Sequence, residues 1–433
     1  MLKAKALFMF VFISSIFSLA VNANNLVRDI SATGDIESRS LMIPYAFYND
    51  NTGVAAALVY TNRGYFQPQA VSLVNAFVGS NSTYSGFAAL KDFQVLGFER
   101  LFFDADIMIS EWGEIESYQD GNPNFSDERA GSINSNKDNF ILANGQDNFT
   151  RLKFKYLLPI GHGKKGAIHE FRVQDGLLVE GYEAGGDDWN PLMSGRTSFS
   201  IQPFYREQDL EDDLNRAFFN VTSGVKFEFE YDNTDWYANA TKGSKTALTV
   251  SRDWGGNSDA VSWTAIQFEY SKFISFGANE NARQRTLAFN FWTSDVPTWN
   301  SYDLIDGEKV FHRAPLFEGS SLGGLERQRG FSSSRFHDRS AINYAAEYRY
   351  TPNSNPFATM PLIEKLHIPF WQIISFVEVG SVADNWNVAD LHHTMKTSVG
   401  IGMRLSVSGL IIRVDAAGST EGGELQMFFG QTF

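Results

Sequence analysis

The run Val225 to Asp232 constrains this chain more than any other stretch. Val225, Phe227, Phe229 and Tyr231 fall on one face of an extended chain, and Lys226, Glu228, Glu230 and Asp232 on the other, because successive side chains of a strand point to opposite sides. A helix would scatter these eight residues around its axis. The pattern therefore predicts a strand that separates an apolar medium from a wet one. It recurs along the chain: Phe103, Ala105, Ile107 and Ile109 oppose Asp104, Asp106 and Ser110, and Leu152, Phe154, Tyr156 and Leu158 oppose Arg151, Lys153 and Lys155. Ile266, Phe268 and Tyr270, then Leu287, Phe289 and Phe291, then Val399, Ile401, Met403, Leu405 and Val407 repeat it. A half-exposed sheet of a soluble sandwich also alternates, but an ionisable residue facing lipid at mid-depth costs ~2–4 kcal/mol. Charge held mostly to one parity along the chain favours the wall of a membrane barrel.

The remaining composition fits an exported single domain. Lys3 and Lys5, an apolar run Ala6 to Ala20 and Val21-Asn22-Ala23 follow the order of a secretory leader, so residues 1–23 are expected to be a signal peptide, 24–40 a short periplasmic segment and 41–433 the barrel. The net charge of −14 becomes two units more negative once Lys3 and Lys5 leave. Such a balance argues against nucleic acid as a partner. The absence of cysteine excludes disulfides, thiolate metal sites and a cysteine nucleophile. Phenylalanine occurs 38 times with no Gly/Ser- or Pro-rich linker, as in a continuous strand array with aromatic girdles. At ~10 residues per strand plus connections, the length allows roughly 14 to 18 strands. Long polar connections such as Glu111 to Asp138 and Gly185 to Gly195, and short ones such as Asp232 to Asp235, read as the two sides of such a barrel. The acidic run Glu207 to Asp213 reads as a solvated loop.

Chemistry concentrates near the C-terminal third. Gly323 to Phe331 is a polar stretch ending in Arg329, Gly330 and Phe331. Two strand-like segments follow, each with one carboxylate on its polar parity: Glu347 within Ala341 to Thr351, and Glu378 within Trp371 to Gly380. Arg404 and Asp415 are further lumenal candidates. Leu425, Met427, Phe429 and Phe433 share one parity at the end of the sequence. No Gly-x-Ser-x-Gly elbow or His-Glu-x-x-His pair occurs, and the adjacent His392 and His393 would point apart in a strand. No catalytic residue, metal or cofactor is expected.

These motifs resemble the BamA/TamA superfamily of outer-membrane barrels, the bacterial surface-antigen family. Gln328-Arg329-Gly330-Phe331 is similar to its Arg-Gly-aromatic loop tip, Tyr344 to Tyr350 to the strand that follows, and Phe376-Val377-Glu378-Val379-Gly380 to the next strand, with glutamate where aspartate is usual. Tyr231 to Asp235 followed by Gly243, Gly400 to Arg404 and Phe429 to Phe433 extend the match, which is specific from about Val225 onward. The resemblance implies an all-β, antiparallel transmembrane barrel of roughly sixteen strands. It implies an inward-folded loop whose Arg329 pairs with Glu347 and Glu378, and a C-terminal assembly signal in Phe429 and Phe433 read by assembly machinery. Because only Asn24 to Ser40 precede Leu41, a barrel-only member without periplasmic POTRA domains is expected. Its location would be the outer membrane of a Gram-negative bacterium, surrounded by lipid, and its function the insertion or translocation of a polypeptide or lipid. A passive diffusion pore and a recognition barrel acting through Glu111 to Asp138 remain open; no oligomeric state is implied.

Overall fold

A computed structural model describes residues 25–30, 39–49, 51–256, 261–305, 307–361, 363–407 and 410–433. The expected leader at residues 1–23 lies outside them, as does most of the segment 24–40. Sixteen strands form one antiparallel sheet in chain order. We number them β1 (Arg39–Asn49), β2 (Gly53–Arg63), β3 (Val71–Gly79), β4 (Tyr84–Gln94), β5 (Leu101–Ser117), β6 (Ile141–Leu157), β7 (Arg196–Asp212) and β8 (Ala217–Asp232). The second half comprises β9 (Gly243–Asp253), β10 (Trp263–Ser275), β11 (Ala282–Asp295), β12 (Ser340–Pro352), β13 (Trp371–Ala383), β14 (Lys396–Val407), β15 (Leu410–Gly418) and β16 (Gly423–Phe429). Among the described residues no helix is long and apolar enough to cross a membrane.

Alternation becomes a two-sided wall. Ile107, Ile109, Phe227, Phe229, Val399 and Ile401 are exposed on the outer face, a continuous apolar surface of the kind that marks a membrane. The inner face is laced with ion pairs, between adjacent strands for Lys245 and Glu230 at 3.0 Å and across one intervening strand for Lys153 and Glu228 at 2.6 Å and for Lys155 and Asp92 at 3.6 Å. Pairing opposite charges offsets part of the desolvation cost that either partner would carry alone.

The edges of the sheet are β1 and β16, and among the described residues no backbone ladder joins them. They meet through side chains instead. Ile43, Tyr45 and Phe47 of β1 share one apolar cluster with Leu410, Ile412, Met427, Phe428 and Phe429 of the last two strands.

β1 enters and β16 leaves at the same end of the sheet, here the near end. The connections 118–140 and 296–339 lie at the opposite, far end. The long connection containing Gly185 to Gly195 is at the near end, as is Asp232 to Asp235, so connection length does not sort by side. This near-end segment is not a solvated loop. His169–Gln174 pairs in parallel with Asn25–Asp29 and antiparallel with Leu177–Leu178. Phe171 and Val173 pack on Trp236, and Leu177 on Phe370 and Ile411. The result is a small cap across the near mouth. It also buries Tyr231, which keeps its outward parity but lies under Trp189, with ring centroids 5.3 Å apart.

Two polar stretches differ from their reading as loops. Strand β5 continues to Ser117, into Glu111 to Asp138. The acidic run belongs mostly to β7, where Glu207 to Glu211 pair on both sides, for example Asp209 with Gln146 and Phe219. Cross-strand backbone bonds, invisible in local composition, override the polarity of these residues.

Candidate functional site: the loop arginine and its carboxylates

The connection 296–339 narrows to a short hairpin in which Ser320–Leu322 pairs with Phe336–Asp338, and its tip, 323–335, reaches the inner face of β12 to β16. Gly323 and Gly324 open the tip at φ +111° and +98°, conformations that cost little only for glycine. The Gly324 amide donates to the Phe331 carbonyl at 3.0 Å and closes the turn. Gly330 is required by space: a Cβ there would stand 2.8 Å from the Gly418 carbonyl and 2.9 Å from Ser398 Cβ. Phe331 is the apolar hook. It meets Phe336 edge-on at 5.1 Å and shares a cluster with Trp292, Leu322, Ala341 and Val382.

Arg329 is fully buried. Its Nε donates to Glu378 Oε1 at 3.0 Å, its backbone amide to Glu378 Oε2 at 2.6 Å, and its Nη1 to Asp415 Oδ2 at 2.8 Å. Nη2 lies 2.9 Å from Glu347 Oε1. The guanidinium carbon stands 3.5 Å over the Phe376 ring. One planar fork thus holds three strands, β12, β13 and β15, through separate edges, a geometry that lysine lacks.

The carboxylates are shared. Arg349 lies 2.9 Å from Glu347 Oε2, Arg404 binds Asp415 and stands 3.9 Å from Glu347, and Arg413 Nε is 3.7 Å from Asp415. Ser398 donates to Glu378 at 2.9 Å. Every one of these groups is buried, so the cluster is stable only as a set: removing one member of a buried ionic network costs about 3–5 kcal/mol through the charge left behind. Arg404 and Arg413 are direct cross-strand partners, normally an unfavourable pairing of like charges. Asp415 between them relieves it. Gly402, paired with Asp415 in the register, makes room, since a Cβ at 402 would stand 2.0 Å from Asp415 Oδ1.

Of the residues singled out in the sequence, Arg329, Glu347, Glu378, Arg404 and Asp415 come together here, with Asp415 a direct partner of Arg329. Arg349, Arg413 and Thr432 were missed. The first two carried a legible signal, each lying two positions from an inward carboxylate on the same parity. Phe429 ends β16, but Phe433 departs from the shared parity: Gly430, at φ +91°, turns the chain inward, and the Phe433 ring rests 6.4 Å from Phe273 and 5.3 Å from the Arg349 guanidinium. His392 and His393 close a short helix, Val388–His393, with His392 beside the Tyr344 hydroxyl at 3.0 Å.

Among the described residues, two sizeable cavities border the loop tip. One of 330 Å³ toward the near end is bordered by Arg63, Lys153, Glu230, Lys245, Arg327 and Phe433. One of 340 Å³ toward the far end is bordered by Trp112, Arg129, Arg206, Trp299, Arg313 and His337. In the far-end loop, burial and then the Arg129, Arg313 and Arg335 guanidinium groups push the His337 imidazole down to about 3.

A sixteen-stranded antiparallel sheet with an apolar outer face, an ion-paired inner face and a loop folded against that inner face defines an outer-membrane β-barrel protein. Residues 136–433 match the Omp85 superfamily domain. The chain belongs to the Omp85 superfamily, in agreement with the motifs from Val225 onward. No curated protein matches it by sequence. Among solved structures it is similar to BamA from Haemophilus ducreyi lacking POTRA domains 1–3, at 10% identity over 91% of this chain and 70% of that one, with a TM-score of 0.46. It is also similar to CdiB from Escherichia coli, at 10% identity over 90% of this chain and 61% of that one, with a TM-score of 0.48. CdiB from Acinetobacter baumannii gives 9% identity over 91% and 58%, with a TM-score of 0.45. The chain spans less than two thirds of either CdiB chain.

Proposed function

We propose that this protein moves or inserts a macromolecule, a polypeptide or a lipid, at the outer membrane, through a conduit that the Arg329 loop holds shut. One observation carries the reading. The loop is fastened by a buried arginine to β12, β13 and β15, while among the described residues the edge strands β1 and β16 meet through side-chain packing without a backbone ladder. A firm plug beside a weak seam suits a barrel that opens for a client. Residues 41–433 would form the barrel, the near end would face the periplasm after removal of 1–23, and assembly machinery would read the C-terminal strand. The function needs no bond chemistry, and no group here is assigned a catalytic role.

The test is single-channel conductance of the refolded protein in a planar bilayer, beside Arg329→Ala. A closed or flickering native protein and a more conductive variant are expected, and would direct work to client insertion. Equal, large and steady conductance in both proteins would make it a passive pore, with selectivity set by its lumenal charges.

A further inference from the structure

Residues 430–433 do not continue the sheet. After Gly430 the chain enters the lumen and ends against the arginine cluster. Thr432 Oγ1 donates to Glu347 Oε1 at 3.0 Å and accepts from Arg413 Nη1 at 3.0 Å and Arg329 Nη1 at 3.2 Å. The Phe433 carbonyl accepts from Arg349 Nη2 at 3.3 Å. Its ring packs with Phe273, Ala240 and Ala288, which belong to the opposite wall and to the near-end turn 233–242. Gln431 donates to Gln372 of β13 at 3.3 Å. One hydroxyl thus touches the loop arginine, its carboxylate partner and a second arginine of the cluster.

We propose that residues 431–433 occupy a binding site of their own inside the lumen, and that this occupancy ties the edge strand β16 to the Arg329 loop. The site takes a hydroxyl between Glu347 and two guanidinium groups, and an aromatic ring between Arg349 and Phe273. The connection to the seam is one glycine long, because β16 ends at Phe429. Moving β16 out of the seam withdraws Thr432, leaving a buried carboxylate and two arginines short of a partner. The loop is weakened where it is fastened. Coupling between two sites is reciprocal, so loosening the loop also loosens the tail. Seam opening and loop release become one event.

The proposal rests on the Arg329 loop acting as a lock, but its test needs neither client nor current. Amide exchange is followed at Arg329 and Phe331 in the folded barrel, with the β5 and β6 amides as internal reference. Thr432→Val keeps the shape and removes the hydroxyl; it should speed loop exchange about tenfold while β5 and β6 stay protected, and Thr432→Ser should restore protection. In the reverse direction, a single cysteine at position 431 (Gln431→Cys), in a chain with no other cysteine, should react with a soluble thiol reagent about tenfold faster when Arg329→Ala is added. Unchanged loop exchange in folded Thr432→Val and Phe433→Ala overturns the coupling. Should those variants fail to fold, an unchanged labelling rate in Arg329→Ala overturns it alone. A conductance result against the plug leaves these rates standing, and a null result here leaves the conductance comparison intact.

Discussion

At the scale of single residues, the cluster behaves as one unit because Arg329 bridges all three of its carboxylates. Arg329→Ala leaves Glu347, Glu378 and Asp415 without their common donor, and the loop is expected to lose about 3–5 kcal/mol of local stability. Arg329→Lys retains the charge but not the fork, so it should recover only part of this; limited proteolysis of the tip 323–335 in the three proteins would rank them. Gly402→Ala tests the same cluster from the wall. Its methyl group would stand 2.0 Å from Asp415 Oδ1, and overpacking of this kind costs about 1–3 kcal/mol. A lower urea midpoint together with a loosened loop is expected, whereas Gly86→Ala, where an added Cβ meets nothing within 4 Å, should change neither.

At the scale of elements, the far-end loop and the near-end cap are held in different ways. The loop is packed around a neutral imidazole: His337 ordinarily titrates near 6.5 but is pushed down to about 3 by burial and the surrounding arginines. Below pH 6.5 the opened loop takes up a proton that the closed loop refuses. Closure is therefore strongest above pH 6.5 and weakens as pH falls, by about 1.4 kcal/mol per unit, or about 2 kcal/mol at pH 5. Loop amides should exchange faster at pH 5 than at pH 7.5 after correction for the intrinsic rate, and His337→Gln should flatten the difference; equal protection at both pH values would contradict it. The cap depends on apolar packing instead. Phe171 is 1% exposed, and Phe171→Ala should cost the cap about 3–5 kcal/mol, measured as protease access to 158–195 with the barrel strands still protected.

At the scale of the whole molecule, stability depends on the medium. Phe229 faces outward and is exposed, so Phe229→Lys should destabilise the folded barrel by about 2–4 kcal/mol in a bilayer, read as a lower urea midpoint for unfolding from vesicles. A soluble sandwich would tolerate lysine at an exposed position with little change. Cavities toward the near and far ends both border the loop tip, through Glu326 and Arg327 on one side and Ser333 and Ser334 on the other.

The sequence by itself determined the strands and their two faces. A period of two with charge on one parity has one cheap solution in lipid, and the Val225 to Asp232 pattern carries it without any long-range information. It also marked Arg329, Glu347 and Glu378, because charge on a lumen-facing parity beside a glycine-bracketed arginine is readable locally. Only the tertiary structure decided which of those charges meet. Arg349 and Arg413 join the cluster through the register of β12, β14 and β15, which depends on backbone pairing between distant segments. The near-end cap arises because Asn25–Asp29 adds to His169–Gln174, a pairing across more than a hundred residues that no local pattern encodes. Phe433 follows the same rule: it shares the parity of Phe429, but the turn at Gly430 brings its half-buried ring inside the barrel against Phe273 and the Arg349 guanidinium, contacts with distant strands that no local pattern encodes.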